Sequence, residues 1–222
     1  SMKIIDIKTM KGPNYWSVRR HNLTVMVLDL EEMEQFPTNK IDGFGERLEK
    51  MFPSMYTHRC SVGKAGGFFQ RVKQGTWMGH VIEHIALEIQ TLAGMDCGFG
   101  RTRGYGEEGV YFVVFNHMVG KVGRYAAKAS FRIAEALISG EEYDLAEDIL
   151  NMKEIRQNEG LGPSTASIIK EAETRNIPWI RLNRYSLCQL GYGANQKRIQ
   201  ATVTSQTSNI GVDIACDKEE TK

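Results

Sequence analysis

The chain has 222 residues, of which 41% are hydrophobic and 25% charged, and its 28 Lys plus Arg nearly equal its 27 Asp plus Glu. These proportions describe an ordinary globular protein, long enough for one large domain or for one domain and part of another. The balanced charge excludes the basic field that nucleic acid or an anionic membrane surface would call for, and no apolar run approaches the ~20 residues that span a bilayer.

The cysteines, Cys60, Cys97, Cys188 and Cys216, are scattered and form no C-x-x-C pair. Neither a thiolate zinc knuckle nor a disulfide framework is expected, and a reduced cytoplasmic setting is. Ser1 ahead of Met2 reads as a cloning remnant, with no signal-peptide core behind it.

Residues 2–9 alternate apolar and polar, and 23–29 form a short apolar run, so both are predicted strands, separated by turn chemistry at Lys11-Gly12-Pro13-Asn14. Residues 31–43 read as a connection, and 44–51 have helical spacing that Pro53 stops. Residues 58–71 carry Gly63, Gly66 and Gly67 and read as a glycine-rich loop, either a binding loop or a hairpin turn. His58-x-Cys60 offers a metal-ligand spacing there, but a lone histidine near a strand is more often simply hydrogen-bonded.

The next stretch, from Gly75 to Gln90, is strongly helical and contains His80-Val81-Ile82-Glu83-His84. At 100° per residue, Val81, Ile82, Ile85, Ala86, Ile89, Leu92 and Ala93 share one side. His80, Glu83, His84, Glu88, Gln90 and Thr91 fall opposite, with Leu87 the one apolar residue among them, which suggests a cleft. Positions i and i+4 lie one above the other, so His80 and His84 point the same way with Glu83 beside them.

His-x-x-Glu-His is the order of the inverted zinc-peptidase motif, in which the histidines ligate and the glutamate takes a proton from water. Zinc needs a third protein ligand, for which Glu135 on a later helix is the first choice, with Glu141 and Glu142 behind it. The alternatives are a groove that binds without metal and a purely structural polar face.

Gly94 ends the helix, and residues 97–106 form a second glycine-rich segment that embeds Arg101 and Arg103, a pairing suited to carboxylate recognition. Residues 110–115 read as a buried strand, and 122–138 and 144–157 as helices. An α+β, two-layer N-terminal domain ending near residue 160 is therefore expected, because Gly160, Gly162 and Pro163 interrupt both flanking helices. Beyond it a helix over 164–175, strands over 177–182, 186–190 and 196–201, and helical spacing over 208–222 read as a small α/β segment, the opening of a second domain that is cut off.

Several of these stretches together resemble a known family. Gly66-Gly67-Phe68, Gly75-Thr76-Trp77, the His80 to Gln90 run and Gly100-Arg101-Thr102-Arg103 are similar to the N-terminal domain of the cyanophycin synthetases. Leu161-Gly162-Pro163-Ser164-Thr165, Ser186 through Gly193 and Gln196 through Ala201 look like the entry to that family's ATP-grasp domain. The resemblance implies domains at 1–160 and 161–222. It implies a cytoplasmic ATP- and magnesium-dependent ligase, homo-oligomeric at full length, that makes an aspartate–arginine polymer.

In that family the N-terminal domain holds the polymer, and some members are thought to cut it at a peptidase-like site to make primers. His80, Glu83 and His84 match that motif. The polymer carries carboxylates and guanidinium groups, so Arg101, Arg103 and Lys64 are expected to meet the former and Glu83 and Glu88 the latter. Residues 1–222 stop before the family's ATP-binding lysines and magnesium carboxylates, so no ligation is expected of them.

Overall fold

The computed structural model describes residues 1–17, 19, 22–161, 163–181, 187–190 and 197–200. They form two compact units, Ser1–Met152 and Lys153–Lys222, divided inside a helix somewhat before the boundary expected at 160.

The first unit is built on a four-stranded antiparallel sheet of β1 (Lys3–Met10), β2 (Leu23–Asp29), β3 (Gly100–Gly104) and β4 (Val110–Asn116), in the order β1-β2-β4-β3. α1 (Phe44–Met51) and α2 (Gly67–Gln74) are short, whereas α3 (Met78–Leu92) and α4 (Gly120–Ser139) are long and pack against each other and onto the sheet. This is the two-layer α+β arrangement expected from the sequence.

β2 and β4 are apolar at nearly every position because both faces are covered. On one side Met26, Leu28, Val113 and Phe115 are fully buried, as are Ile82, Ile85 and Ile89 of α3. On the other, Met10, Trp16, Phe99 and Phe112 cover Leu23, Val25 and Val114. α4, which packs on both α3 and the sheet, buries the small residues Ala126, Ala129, Ser130 and Ala134. α5 (Leu145–Leu161) is anchored at its start by Asp148, which accepts hydrogen bonds from Tyr125 at 2.6 Å, from Arg132 at 3.2 Å and from Tyr143.

The stretch expected to be a glycine-rich loop and the second glycine-rich segment both contain ordered elements. The glycine-rich 58–71 segment contains a short 3₁₀ turn, Cys60–Val62, followed by α2. The glycine-rich 97–106 segment contains β3, which pairs with β4 over its whole length. Local composition favoured a loop at 58–71, where Phe68 of α2 instead packs on His80 and His84 of α3.

In the second unit α6 (Pro163–Thr174) starts with proline in its first turn, where a missing N–H costs nothing, and buries Ile169 and Ala172. β5 (Trp179–Arg181), β6 (Leu187–Leu190) and β7 (Lys197–Gln200) form an antiparallel sheet within the three expected strands. The helical spacing at 208–222 falls outside the described residues. Among the described residues no helix is long and apolar enough to cross a membrane.

Candidate metal centre and cleft

α3 is buried on nearly all sides, not on one. Glu83, His84, Glu88 and Gln90 are all buried, and Leu87, on the polar side, is only 5% exposed. Leu92, expected in the core, is 37% exposed at the end of the helix. The polar side of α3 faces a second wall made by the 53–62 arch and α2, and the gap between them is a cleft of about 970 Å³.

Two hydrogen-bonded chains hold the histidines. His80 places Nδ1 3.0 Å from the Thr76 hydroxyl, one turn earlier on the chain, and Nε2 3.2 Å from Sγ of Cys60. His84 places Nδ1 2.8 Å from Nδ1 of His58, whose Nε2 lies 2.8 Å from a Glu88 carboxylate oxygen. Ser54 donates to the other Glu88 oxygen. An ionised carboxylate only accepts, so His58 donates from Nε2 and in its neutral form accepts at Nδ1 from His84. That tautomer leaves the Nε2 lone pair of His84 free. Phe68 stacks on His84 with ring centroids 4.0 Å apart and planes 15° apart, and meets His80 edge-on.

Cys60, His80 and His84 therefore bring one ligand atom each to within 4.8 Å of one another. Cys60 has φ 52°, a left-handed conformation rare for a residue with a side chain, at the point where the arch turns toward α3. Gly67 makes that approach possible, since a Cβ there would run into the Arg59 carbonyl and the Val62 side chain.

Glu83 rises from the same helical turn toward β3. It accepts a hydrogen bond of 2.7 Å from Thr102 and lies directly over Gly100, where a Cβ would come within 2.5 Å of its carboxylate. Burial pushes its pKa up to about 7, against the opposing effects of the Thr102 hydroxyl and of Arg101. Burial drives His80 down to about 4, with Arg71 assisting, and holds His84 well below its ordinary value. Both imidazoles are thus neutral at physiological pH, the form that ligates a metal. For Glu88 burial acts upward, but the His58 and Ser54 hydrogen bonds outweigh it and its pKa is lowered.

The structure brings His80, Glu83, His84, Glu88, Arg101 and Arg103 to one cleft. Glu135 is not among them: it lines a separate pocket with Glu141 and Glu142, so none of the three carboxylates converges on the histidines. Lys64 is exposed in the turn before α2 and does not line the cleft. Arg59 and Arg71, which sequence reasoning passed over, do. The one sequence signal for a third group beside the histidines was the His58-x-Cys60 pair. It divides between two jobs, with Cys60 at the histidine pair and His58 behind it as a hydrogen-bond partner.

The family model described as cyanophycin synthase-like N-terminal domain matches residues 25–139, which is more than half of the chain. This chain belongs to that family. The matched span runs from β2 to the end of α4 and holds every residue of the cleft named above. Cyanophycin synthetases of Geminocystis herdmanii, Trichormus variabilis and a Synechocystis species are 51%, 50% and 48% identical to it along its whole length. The chain spans about a quarter of the length of these relatives.

Proposed function

We propose that this cyanophycin synthetase N-terminal domain binds the aspartate–arginine polymer cyanophycin in the α3 cleft and hydrolyses it there with the help of a zinc ion. The convergence of Cys60 on His80 and His84, with Glu83 from the same helical turn, carries the reading. Two neutral imidazoles and a thiol are a donor set suited to zinc, and both histidines have a hydrogen-bond partner on their second nitrogen, as metal-ligating histidines nearly always do. Zinc in such a site acts as a Lewis acid and makes water nucleophilic at neutral pH.

Within that site Glu83 acts as general base and then returns the proton to the leaving amine, while Thr102 holds its carboxylate in place. Glu88 and His58 orient His84. Arg59, Arg71, Arg101 and Arg103 offer guanidinium groups to the polymer's carboxylates around the cleft. The ATP- and magnesium-dependent ligation steps belong to the longer enzyme.

The test is elemental analysis of the purified protein together with release of soluble oligomers from cyanophycin. One zinc per chain, with cleavage abolished in Glu83→Gln, supports the reading. A second reading, a groove that holds the polymer without cutting it, is favoured by the mixed charge of the cleft walls. Metal-free protein that binds polymer and releases nothing would leave that reading standing and refute hydrolysis.

A further inference from the structure

β3 is an edge strand, and its open edge forms one wall of the cleft. Among the described residues β4 is its sole partner in the sheet. The ladder determines which groups face outward. Asn116 N–H donates to the Phe99 carbonyl at 3.0 Å, and Tyr105 N–H donates to the Val110 carbonyl at 2.9 Å. Both pairs share the β3–β4 register, so the odd-numbered residues between them, Arg101 and Arg103, also bond to β4. Gly100, Thr102 and Gly104 therefore aim their N–H and C=O groups away from the sheet.

The protein's own side chains occupy part of this edge. Arg101 donates from its guanidinium to the Gly100 carbonyl at 2.8 Å, and Arg103 does the same to the Thr102 carbonyl at 3.0 Å. Neither interaction holds the fold together, since both arginines are exposed and each spans adjacent residues. Thr102 and Gly100 face α3, where they meet Glu83. An extended chain laid along this edge, about 4.8 Å outside β3, runs past that carboxylate.

We infer that the polymer binds by strand addition. Its extended aspartate backbone pairs with the outward N–H and C=O groups of Gly100, Thr102 and Gly104, beside Glu83. As it docks, backbone N–H groups of the polymer replace the two guanidinium groups on the carbonyls of Gly100 and Thr102. The freed Arg101 and Arg103 then bind polymer carboxylates, which accounts for two arginines at alternate positions of a strand whose other residues are small. This inference rests on the proposed polymer cleft. It adds that main-chain pairing to β3 positions the polymer.

Two measurements test it. In the Glu83→Gln protein, which holds the polymer uncut, a short arginine-bearing aspartate oligomer should slow amide hydrogen exchange of Gly100, Thr102 and Gly104 at least tenfold. Arg101 and Arg103, already paired to β4, should change little. Separately, Gly104→Pro removes one outward N–H without touching a ladder bond, and a Cβ at Gly104 meets nothing within 4 Å. Oligomer binding should weaken about fivefold or more in Gly104→Pro and stay unchanged in Gly104→Ala. An oligomer that binds while the three amides and the Pro variant behave as the unpaired protein does would overturn strand addition and leave the cleft reading intact. An oligomer that does not bind at all would overturn both.

Discussion

Glu83→Gln should stabilise the metal-free protein while abolishing cleavage, and the gain should depend on pH in a set direction. Glu83 is 6% exposed and burial holds its pKa at about 7 against an ordinary 4.5. Because the folded state holds the proton more tightly than the unfolded one, the stability this group contributes is full below about 4.5 and is lost as pH rises through about 7. The gap is worth about 3 kcal/mol at 1.4 kcal/mol per pKa unit. A glutamine is neutral throughout and still accepts the Thr102 hydrogen bond, so it avoids that loss. Urea unfolding of metal-free protein, read by hydrogen exchange of peptides from α3, should show a gain below about 1 kcal/mol at pH 5 that approaches about 3 kcal/mol at pH 8.5. A gain that is the same at both pH values, or a loss at pH 8.5, would refute the assignment of Glu83 as a buried carboxyl strained by its own charge.

Cys60→Ser should lower zinc affinity at least tenfold by competition with a chelating dye, while Glu135→Gln in the separate pocket should leave it unchanged; the reverse result would restore a carboxylate as third ligand. Glu88→Ala should lower zinc affinity about ten- to a hundredfold, because His58 loses the acceptor that sets its tautomer, and polymer release should fall with it. Gly67→Ala should cost about 1–3 kcal/mol in urea titrations, since the arch must move off the Arg59 carbonyl, and should weaken zinc binding by displacing Cys60. His117 is 5% exposed, hydrogen-bonded to Thr24 at 2.8 Å, and driven down to about 4 by burial with Lys11 assisting. The stability it contributes is therefore present above pH 6.5 and lost as pH falls from there to about 4, up to about 3 kcal/mol, and an acid titration of His117→Gln should show a shallower loss over that window.

Much of the first unit was legible because its elements announce themselves locally. The apolar runs of β2 and β4, the 3.6-residue pattern of α3 and α4 and the His80-x-x-Glu83-His84 spacing are all properties of adjacent residues, and each appears where the sequence places it. The glycine-rich stretch at 58–71 misled, and the one at 97–106 gave no element, because glycine reports permission, not conformation. Gly67 is needed for a helix start pressed against a carbonyl, and Gly100 for a strand that passes under a carboxylate. Neither need is visible without the neighbour that imposes it.

Only the tertiary structure decided the company the motif keeps. A helix places His80 and His84 on one side by its own geometry, so the sequence alone determined that two imidazoles and Glu83 face one way. Sequence spacing carries no such information about residues far along the chain. Glu135 was a reasonable third ligand by type, yet α4 turns it into another pocket, while the 53–62 arch folds Cys60 onto His80 and His58 onto His84. The same packing buries the polar side of α3, raises Glu83 and lowers both histidines, because desolvation depends on what the opposite wall covers.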